Sequence, residues 1–204
     1  MNNDALAIQN AQRFAFDTIT SNKGSEFYCP PNAVTTPAVL VQEQAFVNTT
    51  STFTFDFSMN SPQPSAVLNN VLLKSNNVFQ IYGISLLQGT GANANTRRYT
   101  TFGATVNEDC IYNSIVSISF EVNKFVDFMP GQMFRSVGQT NTEFDYEMGM
   151  RLLNPQRQLT GRLGQFFVTI QLINPIAAVP IAANTFLSMR LHGVMGQAGA
   201  SGSR

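Results

Sequence analysis

Residues 52–59, which read TFTFDFSM, alternate strictly between polar and apolar side chains. Successive side chains of an extended strand point to opposite sides, so the apolar residues of this stretch share one face. They are Phe53, Phe55, Phe57 and Met59. Phenylalanine favours the half-buried surface of a pleated sheet. The stretch therefore predicts a β-strand with one face in a hydrophobic core and the other in solvent.

The same period of two recurs along the chain. Further candidate strands are residues 78–87, 97–103, 111–122, 124–128, 148–153, 166–172 and 185–195. Residues 78–87 are apolar on both faces, which is typical of a central strand, and residues 89–95 are predicted to form an exposed loop. About eight strands without a fixed repeat favour two packed antiparallel sheets. The predicted fold is therefore all-β, an antiparallel β-sandwich of the jelly-roll type.

One helix is predicted ahead of the strands, over residues 4–20, with Asp4 as its N-cap. Its apolar stripe consists of Ile8, Ala11, Ala15 and Ile19. Phe14 and Phe16 lie off this stripe and need another surface to cover them, either the body of this subunit or a neighbour. Pro and Gly residues follow the helix. We therefore divide the chain into an N-terminal helix and arm (1–37), the sandwich (38–195) and a flexible Gly/Ser tail (196–204).

Charge is scarce in this chain. Twelve Lys and Arg balance twelve Asp and Glu among 204 residues, a formal net charge of zero. That is about half the usual charged share, and it excludes the basic footprint of a dedicated nucleic-acid binder. Uncharged polar groups cost less to bury than charges, so the composition favours a chain that buries much of its exterior against neighbours. The candidate interface residues are Phe14, Phe16, Arg135, Arg151, Arg157, Arg190 and His192.

Catalytic chemistry has little support in the sequence. A nucleophilic triad needs a histidine base, and the single histidine, His192, falls on the polar side of the last strand beside Arg190. Glu143, Asp145 and Glu147 share one face of an extended segment and could hold Ca²⁺. The alternative is a solvated acidic edge, or a set of partners for arginines across a subunit contact. We expect no enzyme activity and no cofactor.

The two cysteines, Cys29 and Cys110, lie far apart in the sequence. A polar start and the lack of a long apolar run predict neither a secretory signal peptide nor a transmembrane helix. Without export we expect two free thiols, and a disulfide between them is the alternative.

In these features the chain resembles the single jelly-roll capsid proteins of tailless icosahedral viruses: a helical or extended arm, then about eight Phe/Val/Ile-rich strands, then a Gly/Ser-rich tail. The resemblance is architectural and includes no diagnostic motif. It implies a virion protein made in the host cytoplasm, whose partners are copies of itself and other virion proteins, and whose arm runs under neighbouring subunits. One departure is the arm, where Arg13 and Lys23 stand against Asp4, Asp17 and Glu26, so the arm is not basic. Genome neutralisation must then come from elsewhere.

Two other classes of function fit the same pattern. A β-sandwich subunit of a phage tail, spike or surface filament would use the same contacts with a different symmetry. A carbohydrate-binding module of the jelly-roll kind would instead be a stable monomer. Such modules usually expose Trp or Tyr, and this chain has five Tyr and no Trp.

Overall fold

The computed structural model describes residues 3–21, 34–45, 51–57, 66–69, 77–91, 99–102, 114–120, 123–134, 150–160, 166–173 and 185–197. Within these residues the chain forms one α-helix, ten β-strands and one 3-10 helix, Gly131–Phe134. The α-helix and the strands are α1 (Asn3–Ser21), β1 (Thr35–Ala45), β2 (Thr52–Asp56), β3 (Ala66–Asn69), β4 (Asn77–Gly91), β5 (Tyr99–Phe102), β6 (Ser114–Phe120), β7 (Asn123–Pro130), β8 (Arg151–Thr160), β9 (Phe166–Leu172) and β10 (Thr185–Gln197).

The strands form two antiparallel sheets. The first, sheet A, has the order β3-β1-β10-β4-β5, and β8 also pairs with β4. The second, sheet B, has the order β2-β9-β6-β7. The chain crosses repeatedly from one sheet to the other, so that β1-β10-β4-β8 faces β2-β9-β6-β7. When the two short strands β3 and β5 of the six-stranded sheet A are set aside, this order of four strands in each sheet is that of a jelly roll. The structure thus confirms the predicted all-β sandwich with an N-terminal helix, and it has ten strands in the described chain where about eight were expected.

The main core lies between the two sheets. The alternation in β2 places Phe53, Phe55 and Phe57 in this core, as predicted, at 2%, 0% and 1% exposure. Sheet A contributes the opposite wall, including Phe79 of β4 and Leu191 of β10. Burying a phenylalanine side chain stabilises the fold by roughly 1.5–3 kcal/mol relative to exposing it. The aromatic strand that predicts the fold therefore also forms much of the core of the sandwich.

The central strand β4 is buried on both faces, as its apolar sequence predicts. Its register against β10 shifts by one residue: His192 lies opposite Gly83 and Gly193 opposite Ile81, so Tyr82 is the extra residue of a bulge. Gly193 fits there because a Cβ atom would lie 2.5 Å from the carbonyl oxygen of Gln80. The close approach of β4 and β10 thus requires a residue without a side chain.

Strand β1 joins the two sheets through amide side chains. Phe57 donates its backbone N–H to Phe166 of β9. Backbone groups alternate sides along a strand, so the carbonyls of Thr54 and Asp56 point away from β9, to the free edge of sheet B. The Nε2 of Gln44 donates to Thr54 at 2.6 Å, and the Nε2 of Gln42 donates to Asp56. Two edge carbonyls of β2 are therefore satisfied from the other sheet.

Some segments differ from the prediction. Gly89, Thr90 and Gly91 extend β4 and pair with β5, instead of beginning an exposed loop. Strand β8 continues to Thr160, well past the predicted end at residue 153. It does so because Val78–Ile81 of β4 give it a second set of partners, after an irregularity in the register. Gly196 and Gln197, which the sequence assigns to the flexible tail 196–204, continue β10 opposite Val78 and Asn77 of β4. Cys29, Cys110 and residues 198–204 lie outside the described residues.

Candidate assembly surface

Helix α1 packs on the outer face of sheet A, away from the main core. Its predicted stripe faces the sheet, and Ala15 and Ile19 are fully buried. They pack with Val78 and Tyr82 of β4 and with Val194 of β10. The outward-facing residues of these strands are therefore covered by the helix of the same chain.

Hydrogen bonds also fix the helix to the sheet. The Nε2 of Gln156, on β8, donates to the backbone carbonyl of Ala11 at 2.9 Å. The Oε1 of the same Gln156 accepts from the Nε2 of Gln80, on β4, at 3.3 Å. This chain of polar contacts positions α1 against sheet A and determines which of its sides remain open.

Phe14 and Phe16 remain at the surface, 60% and 44% exposed. Leu6 is also 52% exposed. Because an α-helix turns about 100° per residue, side chains that are two residues apart on α1 point to nearly opposite sides. Phe14 and Phe16 therefore point along the two flanks of the helix, on either side of the buried stripe. The rest of the chain leaves large parts of both aromatic rings uncovered, as the sequence pattern suggested.

A groove of 340 Å³ opens along the Phe16 flank, between α1 and the start of β1. It is lined by Gln9, Gln12, Arg13, Phe16, Thr35, Pro37 and Val194. Pro37 has no backbone N–H and is typical of an edge strand. The floor is apolar and the helix supplies polar side chains at the rim. The sequence alone did not indicate this groove, because it depends on the pairing of β1 with β10.

Charges of opposite sign accompany the two aromatic residues. Arg13 is three residues before Phe16, and Asp17 is three residues after Phe14; residues three apart are neighbours on a helix surface. Both charged side chains are exposed. Neither Arg13 nor Asp17 forms an ion pair within the part of the chain that the structure describes. Phe14 and Phe16 thus lie on the two flanks of α1. Arg13 and Asp17, four residues apart, are neighbours on the solvent-facing side between them, with Arg13 nearer Phe16 and Asp17 nearer Phe14.

Arg190 and His192 are enclosed by their own chain, at 6% and 4% exposure. Both are candidate interface residues in the sequence, and within the single chain they are already buried. Ser85 Oγ lies 2.8 Å from His192 Nε2. Burial, and secondarily the charge of Arg190, lower the pKa of His192 to about 4. A serine beside a histidine has the elements of a nucleophile and a base, and in this structure both Ser85 and His192 are buried.

The remaining predicted site residues fall into two groups. Arg151 and Arg157 lie half-buried on β8, and Arg157 has interactions of its own. Arg135 and the acidic residues Glu143, Asp145 and Glu147 lie outside the described residues. Among the residues described, no group of three His, Cys, Asp or Glu side chains is arranged to hold a metal ion. In the same residues, α1 is not apolar enough over its length to cross a membrane.

Comparison of the chain with protein-family models, with curated proteins and with solved structures finds no match.

Proposed function

We propose that this protein is a virion structural protein, a capsid subunit that assembles with copies of itself and with other virion proteins. The observation on which the proposal rests is a jelly-roll sandwich with a helix on its outer face whose aromatic side chains point into solvent. A free monomer gains nothing by exposing Phe14 and Phe16. Exposed aromatic side chains at the centre of a polar surface are typical of protein–protein contacts.

The low charge of the chain supports the same proposal. Twenty-four charged residues in 204 leave a surface in which amides and hydroxyls replace ions. Such groups are desolvated at lower cost than charges when two subunits meet. In this proposal the virion is the site of the protein, and the C-terminal tail becomes ordered against neighbouring subunits. The N-terminal helix already packs on sheet A of its own chain and presents its outer side to a neighbour. The jelly roll supplies the rigid body of the subunit, and its helix supplies the contact.

Light scattering and negative-stain microscopy of the purified chain, over a range of concentrations, test the proposal. We expect shells, or ring-shaped oligomers on the way to shells. Phe14→Ser and Phe16→Ser should weaken assembly. Phe128→Ser is the matched control, because Phe128 is 65% exposed but lies on β7 of sheet B. Tubes would assign the chain to a tail or filament. A monomer at all concentrations would refute assembly and direct the search to glycans.

A further inference from the structure

We infer that the Phe14 flank of α1 in one subunit docks into the groove beside Phe16 in the next subunit. The occupant of the groove is thus a second copy of this chain. The inference rests on the proposed function of self-association and specifies the surfaces that perform it. Its basis is the placement of two exposed aromatic rings on opposite flanks of one helix, with Arg13 at the rim of the groove and Asp17 on the side nearer Phe14.

The two flanks are complementary in shape. On one side the groove of 340 Å³ is bounded by α1, by Thr35 and Pro37 of β1 and by Val194 of β10. Its volume and apolar floor suit a single aromatic side chain. On the other side Phe14 projects from the helix with 60% of its surface exposed. Docking this ring into the groove removes apolar surface from water in both subunits, and an offset or edge-to-face contact with Phe16 adds to the gain.

The two flanks are also complementary in charge. Arg13 stands at the rim of the groove, and Asp17 lies beside Phe14. When Phe14 of one copy enters the groove of another, Asp17 of the first approaches Arg13 of the second. The two residues are four apart on the same helix and yet form no ion pair with each other in the described chain. Opposite charges around an apolar contact fix its orientation more than its strength.

This contact joins two different surfaces and is therefore heterologous. Each subunit that docks its Phe14 flank still has an open groove, and the subunit that receives it still has an open flank. A heterologous contact closes into rings, or continues into larger assemblies, whereas a contact between identical surfaces stops at a dimer. The helix thus gives each subunit a donor side and an acceptor side.

Charge reversal tests the inference directly. In Arg13→Asp both the groove rim and the Phe14 flank are acidic, and in Asp17→Arg both are basic. Because like charges then meet at the contact, each variant alone should associate about tenfold or more weakly than the wild type. An equimolar mixture of the two should recover association, because each groove then meets a flank of opposite charge. The double variant R13D/D17R should associate by itself. Lys124→Asp, a reversal at an exposed site on β7, should leave association unchanged.

Analytical ultracentrifugation gives the association constants, and circular dichroism melting verifies that each variant is folded. Recovery in the mixture supports the inference. A mixture as dissociated as its two components, or single variants that associate like the wild type, overturns it while the proposed function stands. A wild-type chain that never associates refutes the proposed function itself. Flotation of that monomer with phosphatidylcholine vesicles would assign the aromatic residues to a lipid surface and likewise overturn the inference.

Discussion

Acidification from about pH 7.5 to about pH 4.5 should destabilise the folded chain by about 2.5 kcal/mol through His192 alone. The imidazole is buried on the outer side of sheet A. Ser85 lies within hydrogen-bonding distance, and Arg190 is two residues earlier on the same strand. Glu43 of β1, also buried, lies opposite Ser188 on the same side of the sheet. Protonation would place a second cation beside Arg190 in a buried site.

The magnitude follows from the two pKa values. Burial lowers the pKa of His192 from 6.5 to about 4 in the folded chain. Each pKa unit corresponds to about 1.4 kcal/mol, so the shift is worth about 3.4 kcal/mol at its limit. Between the two values the unfolded chain binds a proton that the folded chain does not. The stabilisation is therefore complete above about pH 6.5 and is lost as the pH falls toward 4, with about 2.5 kcal/mol lost by pH 4.5.

The assay is denaturant unfolding followed by circular dichroism, since the chain has no tryptophan. Carboxylates also titrate near pH 4.5, so the wild type is compared with His192→Gln. Glutamine places an amide close to the position of Nε2, so Ser85 keeps a hydrogen-bonding partner in a side chain that does not titrate. The difference in pH dependence between the two proteins reports His192. Equal pH dependence would mean that the imidazole is hydrated or already charged, and would refute the reasoning.

Four further substitutions test the packing and the position of the helix, each by denaturant unfolding. Gly193→Ala should cost about 1–3 kcal/mol, because the new methyl group meets a backbone oxygen of β4 that cannot move away. Gly83→Ala should cost less, because its methyl group meets a flexible methionine side chain. Phe55→Ala should cost about 3–5 kcal/mol through the cavity it leaves in the main core. Gln156→Ala should lower the free energy of unfolding by about 1 kcal/mol, because the carbonyl of Ala11 loses its donor. The same change should speed amide hydrogen exchange in α1. Unchanged exchange would show that the apolar stripe alone holds the helix.

The sequence predicts the parts of the fold in which one face is polar and the other apolar. The phenylalanines of β2 and the stripe of α1 have this pattern because each element contacts one core. The pattern fails for β1. Its inward-facing Gln42 and Gln44 interrupt the apolar face, and their partners are carbonyls of a strand in the other sheet. Such pairings depend on tertiary structure and leave no period in the sequence.

The sequence period also indicates part of the candidate surface, but not the parts that depend on which distant elements meet. Phe14 and Phe16 are conspicuous because they depart from the helical stripe. The groove beside Phe16 is formed by elements far apart in sequence, which meet only when β1 pairs with β10. His192 follows a polar–apolar alternation that is typical of a solvated strand face. The alternation shows which side chains share a side of the strand, but it does not show that this side is covered.

The glutamines that bridge the two sheets also affect what the free edge of β2 offers to another polypeptide chain. An open strand edge accepts any extended segment, whatever its sequence, and such additions lead to irregular aggregates. On β2, the carbonyls of Thr54 and Asp56 are already bonded to Gln44 and Gln42, so a strand that adds here must displace or share these two hydrogen bonds. The two glutamines thus make strand addition at this edge less favourable than at an edge whose carbonyls have no partner.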